Sequence, residues 1–295
     1  MAGSMGRQGH GKLRALLRWL IYGLASLLGL GAFIYPFFTP RLQPTSGLAH
    51  AIDSPLLLGL VGGLSLVALL LETQGDAASD AKTIALLGVL VGVNAALSFL
   101  ETAIPGPGGF SPIFFLIILG GYVYGARFGF LLGALTLFVS ALVTGGVGPW
   151  LPYRMLVAGW IGLSSPVVRA PVRWIRAQDT LWEVFFLSIL GSIWGLLFGA
   201  LMNLWFWPFA SGPAEQHWQV GVSLAEGVRR FLAFYVATSL VWDLARVSGI
   251  VGMLWLFGRP TLRTLRRFAR RFAFEVRDEK RSDSPHQVTA GGCLL

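Results

Sequence analysis

The sequence predicts an all-α membrane protein with about eight transmembrane helices, and both its composition and its pattern of apolar runs support this fold class. Hydrophobic residues make up 55% of the 295 residues and charged residues only 13%, and the mean hydropathy is +0.67. Soluble domains are about one quarter charged. A chain with so little polar surface cannot coat a globule in water, so we expect it to fold in a lipid bilayer.

Eight apolar runs come close to the length of about 20 residues that a helix needs to cross roughly 30 Å of hydrocarbon. They cover approximately residues 18–39, 54–72, 83–101, 111–125, 128–144, 151–168, 182–207 and 229–258. The fourth run is short, and the turn at residues 124–129 predicts a helical hairpin with the fifth. The first run is too long for a signal peptide and no A-x-A-like cleavage site follows it, so we expect a retained anchor.

The distribution of Lys and Arg predicts the orientation of these helices. With the N-terminus inside, 18 basic residues fall on the inner side, four on the outer side, and Arg246 lies within the last helix. The outer four are Arg41, Arg154, Arg229 and Arg230. We therefore predict a bacterial inner-membrane protein with both termini in the cytoplasm. The net charge of +9 then follows from topology, and no nucleic-acid partner is expected.

The sequence lacks the motifs of several enzyme classes. It contains no G-x-x-x-x-G-K-[ST], no H-E-x-x-H and no G-x-S-x-G, and the glycines at residues 145–148 lack the lysine of a nucleotide-binding loop. One cysteine and four scattered histidines show no metal-ligand spacing. We expect no metal, no cofactor and no catalytic residue, and we expect that this chain does not hydrolyse ATP.

Three parts are predicted along the chain. Residues 1–80 form a two-helix membrane extension, residues 81–258 a six-helix unit, and residues 259–295 a basic helix with a disordered tail. Pro260 is a typical first residue of a helix, and the residues after it place an apolar stripe opposite an arginine-rich face. This pattern favours a helix lying on the inner leaflet and attracted to anionic lipid, with a solvated tail as the alternative.

A stripe of small residues runs along the third predicted helix at intervals of three or four positions. It consists of Ala81, Ala85, Gly88, Gly92 and Ala96, and Gly88 to Gly92 is a G-x-x-x-G pair. In lipid, such stripes let a second helix approach closely. The spacing alone leaves open whether that helix belongs to this chain or to a partner.

The third to eighth predicted helices resemble the substrate-binding S components of energy-coupling factor (ECF) vitamin transporters, over about residues 81–258. The resemblance lies in the stretch Ala81-Lys82-Thr83-Ile84-Ala85 with the glycines that follow it, and in the segments 105–112, 122–129 and 145–153. It implies a six-helix S-component-like bundle, here preceded by two extra helices, that binds a vitamin on its outer face. It also implies partners, namely a transmembrane coupling subunit and two ATPase subunits. By the same resemblance, Ala81 and Ala85 form the A-x-x-x-A motif that contacts the coupling subunit, and we assign Gly88 and Gly92 to the same docking stripe.

Candidate substrate contacts are polar and aromatic residues at the depth of the outer half of the membrane, where burying an unpartnered polar group costs several kcal/mol. They are Phe110, Trp150, Tyr153, Arg154, Asn203, Trp205, Trp242, Asp243 and Arg246. A pocket of this composition suits a flat or conjugated ligand with a few polar handles, such as cobalamin, a flavin or thiamin, with cobalamin as the first candidate.

Structural roles are the alternatives for the same positions. Trp150, Trp205 and Trp207 are also typical of an interfacial aromatic belt, and Trp218 with His217 is typical of a solvated or lipid-facing loop. Arg154 is also placed to snorkel to the headgroups, Asn203 to bond another helix, and Asp243 to pair with Arg246 three residues later.

Three hypotheses for function follow. The first is the membrane-embedded, substrate-binding subunit of an ATP-driven micronutrient importer. The second is a lipid-modifying membrane enzyme, for which Asp243 and Arg246 are the only plausible catalytic set. The third is a membrane scaffold or assembly protein that depends on residues 1–80.

Overall fold

The structure, a computed structural model, describes residues 2–38, 54–72, 77–103, 111–210, 212–213, 215–219 and 221–282, and every regular element in these ranges is a helix. The helices are α1 (Ala2–Ile34), α2 (Ser54–Glu72), α3 (Ala77–Ala103), α4 (Ile113–Tyr124), α5 (Ala126–Thr144), α6 (Leu151–Ser164), α7 (Arg169–Trp174), α8 (Leu181–Phe206), α9 (Leu224–Thr238) and α10 (Leu240–Ser282). Short 3₁₀ turns follow α1, α6 and α8 at Tyr35–Phe38, Ser165–Val168 and Trp207–Phe209.

Six of the helical segments are long and apolar enough to cross a membrane, and two shorter apolar helices accompany them. The long segments are Trp19–Phe38, Ala81–Phe99, Ala126–Thr144, Leu151–Trp174, Leu181–Phe209 and Leu240–Arg270, and the shorter ones are Ser54–Leu70 and Ile113–Tyr124. The predicted fold class, an all-α membrane protein, is therefore confirmed.

Short connections make successive helices of the bundle antiparallel. The two ends of the bundle carry different residues. Gly125 alone joins α4 to α5, with a φ of 108° that residues with a side chain rarely adopt. We call the end where α4 and α6 finish the basic end, since it carries Arg127, Arg169 and Arg173. The opposite end, which carries the tryptophans at positions 150, 205, 207 and 218, is called the aromatic end.

Helix α4 forms the centre of the core, with every residue from Ile113 to Tyr122 buried. Helices α5 and α6 approach so closely beside it that a Cβ on Gly129 would overlap the carbonyl oxygen of Gly162, and a Cβ on Gly133 would overlap that of Ala158. Glycine is therefore required at these positions by backbone contact, as is common where helices pack in membranes.

The two leading helices pack on the outside of this core. Tyr22 of α1 is buried against Phe130 of α5, with ring centroids 5.2 Å apart, and the indole nitrogen of Trp160 donates a hydrogen bond to Ser26 Oγ at 2.9 Å. Helix α2 contacts both α5 and α6. Helices α1 and α2 thus contribute buried residues to the same apolar core as the bundle.

The last predicted transmembrane helix, residues 229–258, is divided in the structure. Helix α9 ends at Thr238 and α10 begins at Leu240, with Ser239 between them. The side chain of Asn203 in α8 is hydrogen-bonded to the Ser239 hydroxyl, at 2.7 Å from Nδ2 and 2.9 Å from Oδ1. The apolar run gives no sign of this break, because Asn203, which bonds Ser239, lies 36 residues away in the sequence.

The predicted helix start at Pro260 is wrong, because α10 continues through Pro260 to Ser282. Leu254, before the proline, and Leu262 and Leu265, after it, are all buried in the bundle. The Tyr124 hydroxyl also donates a hydrogen bond to the Leu265 carbonyl at 2.8 Å. Packing on both sides of the proline outweighs the loss of its one backbone hydrogen bond. The first turns after Pro260 therefore pack their apolar side on the bundle.

Candidate functional site

A buried ionic cluster connects α8, α9 and α10 near the aromatic end. Asp243 is only 1% exposed, and its carboxylate accepts hydrogen bonds from the Tyr235 hydroxyl at 2.8 Å and from Arg246 Nη1. Arg246 also donates to the Gly195 carbonyl of α8 at 3.3 Å, and its guanidinium group lies 5.3 Å from the ring centroid of Phe198. The expected pair between Asp243 and Arg246 is present, and its contacts extend to two further helices.

Three glycines of α8 make room for this cluster. A Cβ on Gly199 would overlap the carboxylate oxygens of Asp243, and a Cβ on Gly195 or Gly191 would lie 2.7 Å from a methyl carbon of α10. Sequence reasoning missed this stripe, although its four-residue spacing is visible in the sequence. Because these glycines have no side chain, α8 and α10 pack closely and the Asp243 carboxylate fits between them.

A second group of charges lies at the end of α3. Glu101 accepts a hydrogen bond from Ser111 Oγ at 3.1 Å, and its carboxylate interacts electrostatically with the guanidinium groups of Arg154 in α6 and Arg246 in α10. Arg154 is partly buried. Its guanidinium group forms no hydrogen bond to any other residue that the structure describes. Arg154 is therefore a partly buried cation whose guanidinium donors have no acceptor among the described residues.

Sequence reasoning missed Glu101, Ser111 and Tyr235. An acidic residue at the end of an apolar helix was an available signal for Glu101, because it lies at the same predicted depth as Arg154. Ser111 and Tyr235 gave no such signal. Their roles come from tertiary contacts, one to Glu101 and one to Asp243.

Asn203 has the interhelical role that was the alternative to substrate contact. Its Nδ2 donates to the Gly199 carbonyl at 2.8 Å and to Ser239 Oγ at 2.7 Å, while Oδ1 accepts from the same hydroxyl. Both donors and the acceptor of the amide are therefore in use, and they fix the break between α9 and α10.

Of the aromatic residues predicted for the site, the structure brings two into contact and leaves two others exposed. Tyr153 (0% exposed) and Trp205 (8%) pack against each other with centroids 5.8 Å apart, and Tyr153 also packs on Phe33 of α1 at 4.9 Å. Trp150 is exposed on the loop before α6, where its indole nitrogen donates to the Gly146 carbonyl at 3.1 Å. Trp242 is 56% exposed, whereas Asp243 beside it in the sequence is buried. Phe110 lies outside the described residues.

An aromatic cavity of about 610 Å³ lies beside these residues at the aromatic end. Its walls come from the end of α1, the end of α8 and the start of α9, and include Phe37, Trp207, Trp218 and Phe231. Trp207 is 3% exposed and lies 5.4 Å from Trp218, measured between ring centroids, and its indole nitrogen donates to the Gln216 carbonyl at 2.8 Å. The interpretation of Trp207 as an exposed belt residue is therefore wrong, since its side chain is buried. Trp218 is half-buried and packs against Trp207.

The small-residue stripe of α3 faces outward. Ala81, Ala85, Gly88 and Gly92 are all exposed, and a Cβ built on Gly88 or Gly92 meets no atom of a described residue within 4 Å. Within the described part of the chain, no helix fills this stripe.

Comparison with protein families identifies the bundle. The family model of the ECF transporter substrate-specific component matches residues 82–255, which is more than half of the chain. The chain belongs to this family. As an S component it is a substrate-specific, multi-pass membrane subunit of a transport system, as the resemblance in the sequence predicted. No curated protein and no solved structure is similar enough to match it.

The matched region covers most of the residues described above. It begins at Lys82, and it includes the α3 stripe from Ala85 onward, together with Arg154, Asp243 and Arg246. Helices α1 and α2 precede it, and the basic second half of α10 follows it. Part of the aromatic cavity, contributed by α1, therefore comes from outside the matched region.

Proposed function

We propose that this S component captures a vitamin-like micronutrient from outside a bacterial inner membrane and delivers it by docking to an ECF coupling subunit. ATP hydrolysis takes place on two separate ATPase subunits. The proposal rests on the orientation of the bundle, the charges at the aromatic end and the open stripe of α3.

The basic end is the cytoplasmic one in this proposal. Arginines cluster where α4, α6 and α7 finish and on α10 beyond Gly258, whereas the aromatic end carries few. Because basic residues are retained in the cytoplasm during insertion, this distribution supports a cytoplasmic position for the start of α1 and the end of α10. The aromatic end then faces the substrate outside.

The main support for substrate binding at the aromatic end is the environment of Arg154. A partly buried guanidinium group without a hydrogen bond from the described residues is costly in an apolar bundle, and a ligand oxygen offsets that cost. Glu101 attracts the Arg154 cation, whereas Arg246 repels it. We expect this group of charges to accept an anionic or an amide-rich ligand. Together with the aromatic residues of the same end of the bundle, these polar groups suit cobalamin first, and a flavin or thiamin as alternatives.

Titration of the purified protein with cobalamin, riboflavin and thiamin tests the proposal. We expect one of them to bind, and Arg154→Gln to weaken that binding by about tenfold or more, as loss of a charge-assisted hydrogen bond does. Arg229→Gln is the matched control. It removes the same charge at the same end, but from an exposed pair with Glu226. Absence of binding to every compound, or equal weakening by both variants, would contradict the proposed site.

A further inference from the structure

A cavity lined with arginine lies at the basic end, opposite the proposed substrate site. Its volume is about 220 Å³, roughly seven times the ~30 Å³ of one water molecule in the liquid. Arg169 and Arg173 of α7 and Arg266 and Arg270 of α10 line it, together with Gln178. Four guanidinium groups around one small hollow make a strong positive potential.

Two of the four arginines are held in place by the protein. Arg169 donates to the carbonyls of Tyr122 and Val123 at the end of α4, at 2.7 and 2.9 Å. Arg266 pairs with Glu183 and with Asp179, the latter at 2.9 Å. These contacts build the walls before any ligand arrives.

The other two arginines have no acidic partner among the residues that the structure describes. Arg173 and Arg270 are both exposed, and the nearby acids Asp179 and Glu183 pair with Arg266. Arg173 also donates a hydrogen bond to the Arg169 carbonyl at 3.3 Å. The cavity therefore keeps an excess positive charge that an anion would neutralise.

The position of the cavity relative to the membrane indicates which anion is available to bind there. Trp174 and Trp182 are exposed at the same end, and exposed tryptophans of membrane proteins concentrate at the level of the lipid headgroups. The cavity is thus at the depth of lipid phosphates. Val123 and Ala269 add apolar wall to it, which fits the glycerol part of a lipid better than a fully hydrated ion.

We propose that this cavity binds the phosphate group of an anionic phospholipid. Arginine forks match phosphate oxygens in pairs, so Arg173 and Arg270 would each donate to the phosphate from opposite walls. A bound headgroup would link α7 to α10 and hold the basic half of α10 against the bundle. The inference is independent of the identity of the transported substrate.

Lipid binding to the full-length protein tests this inference. The protein is placed in phosphatidylcholine nanodiscs with increasing phosphatidylglycerol, and bound lipid is counted by native mass spectrometry. We expect Arg173→Gln with Arg270→Gln to weaken retention of phosphatidylglycerol at least about tenfold more than the control pair does. The control pair, Arg127→Gln with Arg176→Gln, removes the same charge at the same end outside the cavity, and so reports the diffuse attraction of basic residues to an anionic surface.

Three outcomes would overturn the inference. Equal losses in the two pairs would mean diffuse attraction only, and equal retention of phosphatidylcholine would mean no selection for an anionic lipid. Displacement of the lipid by millimolar inorganic phosphate would assign the cavity to a soluble phosphate instead. The thermal unfolding of each variant is measured alongside, so that a misfolded protein is not counted as a loss of binding.

Discussion

Two stripes of small residues in this protein share one sequence pattern and have opposite surroundings. On α8, Gly191, Gly195 and Gly199 lie directly against α10, where an added Cβ would collide with side-chain atoms. On α3, Gly88 and Gly92 face open space within the described structure. Spacing therefore identifies a surface made for close helix approach, but the rest of the fold decides whether the approaching helix is internal.

The glycine stripe of α8 packs against a buried ionic group. Close contact at Gly199 brings Asp243 into the interface, where Tyr235 and Arg246 satisfy its carboxylate. A similar cluster of Tyr122, Glu183 and Arg266 joins α4, α8 and α10 at the basic end. Helix α10 is therefore held near its start, at Asp243 and Arg246, and again at Arg266, each time by a group of a carboxylate, an arginine and a tyrosine, whereas the α3 stripe has no such anchor in the described residues.

The largest expected effect comes from filling the internal stripe. Gly199→Leu would push α8 away from α10 and displace a buried carboxylate, so we expect a loss of about 3 kcal/mol or more in the free energy of unfolding. Denaturation in detergent micelles measures it. Gly88→Leu on α3 is the control and should leave the unfolding midpoint nearly unchanged. Equal destabilisation by both would mean that the α3 stripe is packed internally.

The next largest effect concerns the ion pair beside that stripe. Asp243→Ala leaves Arg246 as an uncompensated buried charge, and we expect a cost of about 3 kcal/mol. The double variant Asp243→Leu with Arg246→Met removes both charges and should recover much of that loss. Because Arg246 also acts on Glu101 and Arg154, the double variant should still bind the proposed substrate more weakly than the wild type. Titration of both variants checks this, and wild-type affinity in the double variant would exclude Arg246 from the site.

The membrane helices could be predicted from the sequence, whereas several tertiary contacts could not. Apolar runs located the membrane helices, because burial in lipid depends on hydrophobicity that each segment carries by itself. The break at Ser239, the continuity through Pro260 and the burial of Trp207 depended on contacts between distant segments, which a single run does not show. The same holds for the site. Arg154, Asp243 and Arg246 could be proposed because charges are rare at that depth, whereas Trp242, next to Asp243 in the sequence, is exposed in the structure.

The open stripe gives the third prediction, which tests docking separately from binding. Ala85→Leu or Gly88→Leu should reduce uptake in cells and co-purification with the coupling subunit, while the isolated protein keeps its ligand affinity. The physical reason is that a bulky side chain prevents a partner helix from approaching the stripe. Gly63→Leu on α2 is the matched control, because that glycine is also exposed with no atom of a described residue within 4 Å. Loss of both uptake and affinity in the α3 variants would contradict docking as the function of the stripe.

The smallest expected effect compares single methyl groups on the two stripes. Gly88→Ala adds a methyl group to open space and removes a poor helix former, so we expect stability to rise by up to about 1 kcal/mol. Gly191→Ala gains the same helix propensity, but its Cβ would lie 2.7 Å from Ile250 Cγ2. Since Ile250 is buried with 1% exposure, its side chain has little room to move, and we expect a net loss of roughly 1 kcal/mol. Unfolding midpoints that shift in opposite directions would show that the surroundings of each glycine, and not its spacing in the sequence, determine its role.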